Sequence, residues 1–277
     1  MQYLELCEVY EELEKNSSRL KKTEILSNFL KKLKKEKNKE TIYLTQGKIF
    51  PDYDEREIGI SNQLTIKALA KSTGISDSEI VKLWKKLGDL GEVAEKITAS
   101  KKQRTLSNKT LTIEKVLQNL RKLPELEGKG AVERKISLIA ELLTSAKPKE
   151  AKYLVRTLLS DLRIGVGAGV LRDAIVWSCL EKKKENYEIV EEAYDKSTDW
   201  KFVFEQACKG LKSLKKTTLT PGKPVKVMLF QKEKTIEDGF KRVGKPALID
   251  FKYDGFRMLI NKSGDKIKIF TRRVFNP

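Results

Sequence analysis

Residues 250–257 read DFKYDGFR. A lysine placed two residues before Asp254 and three before Gly255 has a chemistry open to it. Its neutral amine can attack the α-phosphate of a nucleotide and form a phosphoramidate, a covalent nucleotidyl-lysine. Neighbouring cations, a metal ion or partial burial would lower the amine's pKa enough for that attack. On a strand, Asp250, Lys252 and Asp254 share one face. Gly255 lets the backbone turn beside a ligand, and Arg257, Arg272 and Arg273 can neutralise phosphate charge as it moves. The four-residue pattern alone arises by chance in a chain this rich in lysine, and an exposed hairpin lysine beside a turn would look the same. The preceding acid, the arginine after the glycine and the following Arg-Arg strengthen it.

A second candidate is LRIGVGAGVLRDAI, 162–175. It is not a dinucleotide fingerprint, which needs G-x-G-x-x-G after a strand; here Gly165, Gly167 and Gly169 follow a helical segment. Read with its neighbours, it is a helix ending near Arg163, a glycine loop, and a new helix opening with free N–H groups. Arg163 and Arg172 flank it, which suits a sequence-independent phosphate clamp. A plain helix-to-helix turn with solvated arginines fits equally. EGKGAVERK at 127–135 repeats the theme, with Gly128, Lys129 and Gly130 before a helix start.

The elements that must hold these groups are mostly helical over the first two hundred residues. Leu4, Cys7, Val9, Tyr10 and Leu13 form one apolar stripe, and Ile25, Leu26, Phe29, Leu30 and Leu33 another. YLTQGKIFPDYDEREIGIS breaks the period and reads as a structured loop. A helix across Leu64–Ala70 ends at Gly74. SDSE at 76–79 has the form of a capping box ahead of Ile80, Leu83, Trp84 and Leu87. Residues 99–110 are a polar, basic linker. Val132, Ile136, Ile139 and Leu143 recur at helical spacing. Pro148 opens a helix that buries Leu154, Val155, Leu158, Leu159 and Leu162. Near 216 the texture changes: PALIDFKYD reads as a strand, and FRMLINK-SGD-KIKIFTRR as a hairpin.

Composition narrows the classes. The chain has 277 residues, a formal net charge of +18 and 39% hydrophobic residues, so it can bury a core. Such charge favours a polyanionic partner or a lysine-rich thermophile-like surface. Residues 1–215 hold 42 basic and 33 acidic side chains, whereas 216–277 hold 15 and 6. Half the excess thus sits in a short segment, which favours an anion-binding surface there. The sequence has no histidine, which excludes Ser-His-Asp and Cys-His catalysis. Cys7, Cys179 and Cys208 fit neither a zinc spacing nor a disulfide framework, and suit a reduced cytoplasmic setting. No apolar run is long enough to span a membrane.

Six blocks then appear in order: SSRLKKTEILSNFL, IYLTQGKIFPDYDEREIGIS, EGKGAVERKISLIAELL, AKYLVRTLLSDLRIGVGAGVLRDAI, KPVKVMLFQK and DFKYDGFRMLI…KIKIFTRR. Together they resemble the ATP-dependent DNA ligases in their archaeal form. The resemblance implies a multi-domain chain, α then α+β. Residues 1–215 would be an all-α DNA-binding domain gripping duplex DNA from the minor-groove side. Residues 216–277 would be an incomplete adenylation (nucleotidyltransferase) domain. Lys252 would be the adenylated lysine. Asp250, Phe251, Asp254, Gly255, Arg257 and Arg272 would bind the nucleotide, with Asp250 standing where the family usually has glutamate. Arg19, Lys129, Arg163, Gly165 and Gly167 fall in blocks the family uses on DNA backbone, beside Arg172.

The resemblance also implies ATP and Mg²⁺, the metal's ligands lying mostly beyond residue 277 and none within the chain. The substrate would be nicked double-stranded DNA, sealed during replication, repair and recombination. QRTLSN, 103–108, occupies a loop where some archaeal ligases dock a sliding clamp, but only Leu106 is apolar there, and a solvated linker competes. The family's later motifs are absent, so a truncated chain is expected, a monomer that binds DNA without sealing it alone. A non-catalytic, sequence-independent DNA-binding module is the alternative. An RNA-capping or RNA-ligase relative would not explain residues 1–215.

Overall fold

The computed structural model describes residues 1–100, 110–227, 231–251, 253–255 and 258–271. Fourteen helices and two strands lie among them. The helical body runs α1 (Tyr3–Lys15), α2 (Arg19–Leu33), α3 (Thr41–Leu44), α4 (Asn62–Thr73), α5 (Asp77–Leu87), α6 (Leu90–Ala99), α7 (Ile113–Lys122), α8 (Ala131–Ser145) and α9 (Pro148–Leu158). It continues through α10 (Ala168–Cys179), α11 (Lys184–Ser197), α12 (Trp200–Lys209) and α13 (Leu211–Lys215). Beyond it come α14 (Ile236–Val243) and an antiparallel hairpin, β1 (Met258–Ser263) with β2 (Lys266–Thr271). The fold is α followed by the beginnings of α+β.

Local chemistry explains the boundaries. Ser18, Ser61, Ser76, Asp89, Thr112 and Asp199 each cap a helix by accepting a first-turn N–H. Gly74 and Gly88 close α4 and α5 in the left-handed conformation, which a β-carbon disfavours. Pro148 occupies the first turn of α9. Residues 45–61 are irregular, yet Ile49, Phe50, Ile58 and Ile60 are buried. Arg121 fastens this loop by donating to the Ile49 carbonyl at 2.8 and 3.0 Å.

One buried core runs through the helical body, with α6 packed on α9, α2 on α10, and α4 on α8. Gly91 shows how closely α6 and α9 approach: a β-carbon there would lie 2.9 Å from the Lys152 carbonyl and 2.8 Å from Arg156 Cγ. Glu14, Tyr153, Arg156 and Asp89 form a polar chain through the same region. Tyr153 donates to Glu14 at 2.8 Å, and Arg156 donates to Asp89 through Nε at 3.0 Å and Nη2 at 2.8 Å.

Several expectations shift. The first stripe is Tyr3, Leu6, Cys7, Tyr10 and Leu13; Leu4 and Val9 sit at its margin, because α1 rotates Tyr3 and Leu6 fully inward. The α8 stripe starts at Ile136, with Val132 55% exposed. Helix α9 ends at Leu158 rather than near Arg163, since Ser160 takes φ 55° and breaks the helical turn. PALIDFKYD forms no strand among its described residues. It finds no pairing partner there, and Leu248 and Ile249 are 97% and 80% exposed. The hairpin stands as expected, with Gly264 at φ 58° in its turn. Helix α14 is an element that the sequence pattern does not announce.

Residues 222–226 lie along the helical body. Lys226 donates its N–H to the Asp195 carbonyl at 2.9 Å and pairs with the Asp195 carboxylate at 3.0 Å. Thr198 donates to the Pro224 carbonyl at 3.1 Å. The change in sequence texture at 216 therefore precedes the point where the backbone leaves the helices.

Candidate functional site

The segment 159–167 between α9 and α10 alternates. Leu162 and Ile164 point into the core, while Asp161, Arg163 and Gly165 face outward. Arg163 and Gly165 both take left-handed conformations, φ 57° and 65°. That is routine for glycine and strained for arginine, by about 1 kcal/mol. The strain is held by ion pairs. Arg163 donates Nε to Asp161 at 2.7 Å, and its Nη1 lies 3.2 Å from Asp89 Oδ2. Asp89 also caps α6, accepting the Gly91 N–H at 2.6 Å. Burial works against the Asp89 carboxylate, but hydrogen bonds and charge from Arg156, with Gly91 and Arg163, hold it below the usual carboxylate range. Asp89 thus fixes the loop to α6 and α9 together.

Gly167 caps α10 without a side chain, leaving the first N–H groups of the helix open on an exposed surface. Helix α2 faces this end. Lys22 donates Nζ to the Ile164 carbonyl at 2.7 Å, and a β-carbon on Gly165 would collide with that ammonium. A β-carbon on Gly169 would lie 3.2 Å from Arg19 Nη2. Arg19 pairs with Asp173 at 2.8 Å through Nη2 alone; Nε and Nη1 have no partner among the described residues, and the side chain is 62% exposed. Gln46 and residues 160–167 line a shallow depression of about 470 Å³ beside it. Arginine, ammonium, glycine backbone and a helix N-terminus thus converge. That is the chemistry of a phosphate seat.

The structure brings together Arg19, Arg163, Gly165 and Gly167, which lie far apart in sequence. Lys22 and Asp89 join them without standing out in the sequence. Lys22 carries one signal, its position three residues after Arg19 on the same helix. Asp89 carries only a capping signal. Arg172 lies on α10 but faces α11, donating to Glu191 at 2.6 Å and to Asp173 at 2.9 Å, so its charge is already matched. Lys129 is exposed between Gly128 and Gly130, at φ 76° and 77°, ahead of α8. No hydrogen bond or ion pair among the described residues joins it to the α2–α10 seat.

The second candidate site is only partly described. Lys252, Arg257 and Arg272 lie outside the described residues, as do Arg273 and residues 103–108. Asp250 and Asp254 are exposed, Phe251 is 83% exposed, and Phe251 N–H donates to Asp250 at 2.8 Å. Gly255 takes φ 135°, with open space where a β-carbon would lie. Among the described residues no group of three or more cysteine, aspartate or glutamate side chains could hold a metal ion. No helix among them is long and apolar enough to cross a membrane.

A helical body with a cluster of basic side chains at the open N-terminus of α10 is followed by α14 and a two-stranded hairpin. Comparison with known sequences supplies the class. Residues 2–176 match the family described as the DNA ligase N terminus, and residues 227–276 match the ATP dependent DNA ligase domain. The chain belongs to the ATP-dependent DNA ligase family. It is 39% identical over 277 residues to a DNA ligase of Thermococcus fumicolans, covering 100% of this chain and 49% of that protein. A DNA ligase of Methanosphaera stadtmanae is 42% identical over 278 residues, covering 99% and 49%, and one of Nanoarchaeum equitans 40%, covering 99% and 48%. The chain spans about half the length of the curated relatives it matches.

Proposed function

We propose that this chain is the DNA-gripping and nucleotide-accepting part of a nick-sealing ligase. The observation that supports it most is the meeting of Arg19 and Lys22 on α2 with the glycine loop and open N-terminus of α10. Such a seat holds phosphate oxygens without touching base edges, which suits an enzyme that must act at any nick. Lys129, before α8, would hold a second backbone position.

In this reading Lys252 is the nucleophile. Its neutral amine attacks the α-phosphate of ATP, a nitrogen–phosphorus bond forms, and pyrophosphate leaves. The AMP passes to the 5′-phosphate of a nick, and the adjacent 3′-hydroxyl displaces it. Asp250, Phe251, Asp254, Gly255, Arg257 and Arg272 surround the nucleotide. Mg²⁺, when bound, would supply charge neutralisation at the phosphates. In this reading the 277-residue chain binds nicked duplex as a monomer. Docking of a sliding clamp would fall to residues 103–108, QRTLSN, whose one apolar side chain is Leu106.

The test is uptake of label from α-labelled ATP by the protein extended to its relatives' length, with and without Lys252→Ala. Loss of uptake in the variant supports the reading; equal uptake removes Lys252 from it. A non-catalytic binding module instead takes up no label in either form and binds nicked duplex indifferently to ATP.

A further inference from the structure

Cys179 and Cys208 are separated by 28 intervening residues and pair in no recognisable sequence motif, yet their Sγ atoms lie 3.4 Å apart. Cys179 is the last residue of α10 and Cys208 the penultimate residue of α12. Helix ends adjust more readily than helix interiors, and Gly210 follows closely after Cys208 at φ 109°. A disulfide requires about 2.05 Å between sulfurs, so closure brings the two together by about 1.4 Å from their 3.4 Å separation. Both thiols are half-buried, so a small oxidant can reach them, whereas Cys7 is fully enclosed in the core. Ser178 Oγ also lies 3.5 Å from Cys179 Sγ.

The electrostatics distinguish the two sulfurs. The hydrogen bond from Cys208, opposed by burial and aided by Ser178 and the charges of Lys34 and Lys39, brings the Cys179 thiol down to about 7. The same hydrogen bond and burial push the Cys208 thiol up. Of the two, Cys179 is the sulfur whose thiolate form is favoured.

We propose that Cys179 and Cys208 form a peroxide-reactive thiol pair that closes to an intramolecular disulfide between α10 and α12. In the first step the Cys179 thiolate attacks hydrogen peroxide. The O–O bond breaks, a sulfur–oxygen bond forms to give the sulfenic acid, and the departing hydroxide takes a proton to become water. In the second step Cys208 attacks the sulfenyl sulfur. The S–O bond breaks, the S–S bond forms, and the Cys208 proton leaves with the hydroxide as a second water. Two thiols are oxidised by two electrons, and one peroxide is reduced to two waters. The proposal does not rest on the DNA reading.

The experiment is peptide mapping of the 277-residue chain after brief treatment with hydrogen peroxide and blocking of remaining thiols. The expected result is one cross-linked species joining the Cys179 and Cys208 peptides, about 2 Da lighter than their sum and removed by dithiothreitol. Cys7 stays a free thiol, alkylated only once the chain is denatured. In Cys208→Ser, a sulfenic-acid trap such as dimedone labels Cys179 about tenfold more than Cys7. The proposal is overturned if both thiols stay free in the wild-type chain, or if they oxidise singly to sulfinic or sulfonic acids without cross-linking.

Discussion

Asp89 and Glu150 are both buried acids, and they depend on pH in opposite directions. Asp89 is 7% exposed and its folded-state pKa is lowered, with Arg156 overcoming the cost of burial. Its stabilisation is present above the unfolded carboxylate value and is lost as pH falls through the lower folded value. Asp89→Asn removes the charge partner of Arg156 Nε and Nη2 and leaves Glu14, 3.0 Å from Nη1, as its remaining acid, and is expected to cost about 1.5–3 kcal/mol in urea unfolding at pH 7. Glu150 is 1% exposed, and burial raises its pKa although the Lys147 N–H donates to it at 2.7 Å. The folded state therefore favours the protonated acid. Stability is greatest below the unfolded value and declines as pH rises toward the raised folded value. Glu150→Gln keeps the acceptor for Lys147. Its Tm should match wild type near pH 4 and exceed it by a few degrees near pH 8, as read by thermal melts across that range.

At the scale of elements, the tight approach of α6 to α9 hinges on Gly91. Gly91→Ala places a methyl against the Lys152 carbonyl backbone and is expected to cost about 1–3 kcal/mol by chemical denaturation. Gly165→Ala tests the seat instead of the core. It strains a left-handed residue and displaces Lys22 from the Ile164 carbonyl, so DNA affinity should fall several-fold with Tm lowered only slightly. Much of this architecture is legible in the sequence. Helical periodicity marks the α2 stripe, Ser76 and Pro148 mark helix starts, and the glycine run marks a backbone approach. The α2–α10 meeting is not legible, because nothing local to Arg19 encodes which helix lies opposite it. The pattern overshoots the end of α9 because Leu159 and Leu162 stay apolar through a turn set by Ser160. The strand expected over PALIDFKYD fails for a related reason: apolar and β-branched composition supplies propensity, but a strand exists only where a partner accepts its hydrogen bonds.

Across the whole molecule, the net charge of +18 is spread unevenly. Two arginines around the seat are fully matched by acids: Arg163 by Asp161 and Asp89, Arg172 by Glu191 and Asp173. Arg19 alone of these three arginines keeps unpartnered nitrogens among the described residues. The acids orient the guanidinium groups and limit non-specific attraction, so binding should depend on a few placed groups more than on bulk charge. Arg172→Ala is accordingly expected to lower Tm more than it lowers DNA affinity. The most direct test is the salt dependence of the 277-residue chain binding a nicked duplex, compared with Arg19→Ala. The predicted result is about tenfold weaker binding in the variant, with the slope of log affinity against log salt shallower by about 0.9, as expected when one phosphate is no longer neutralised. An unchanged affinity and an unchanged slope would contradict the assignment of the α2–α10 seat to the DNA backbone.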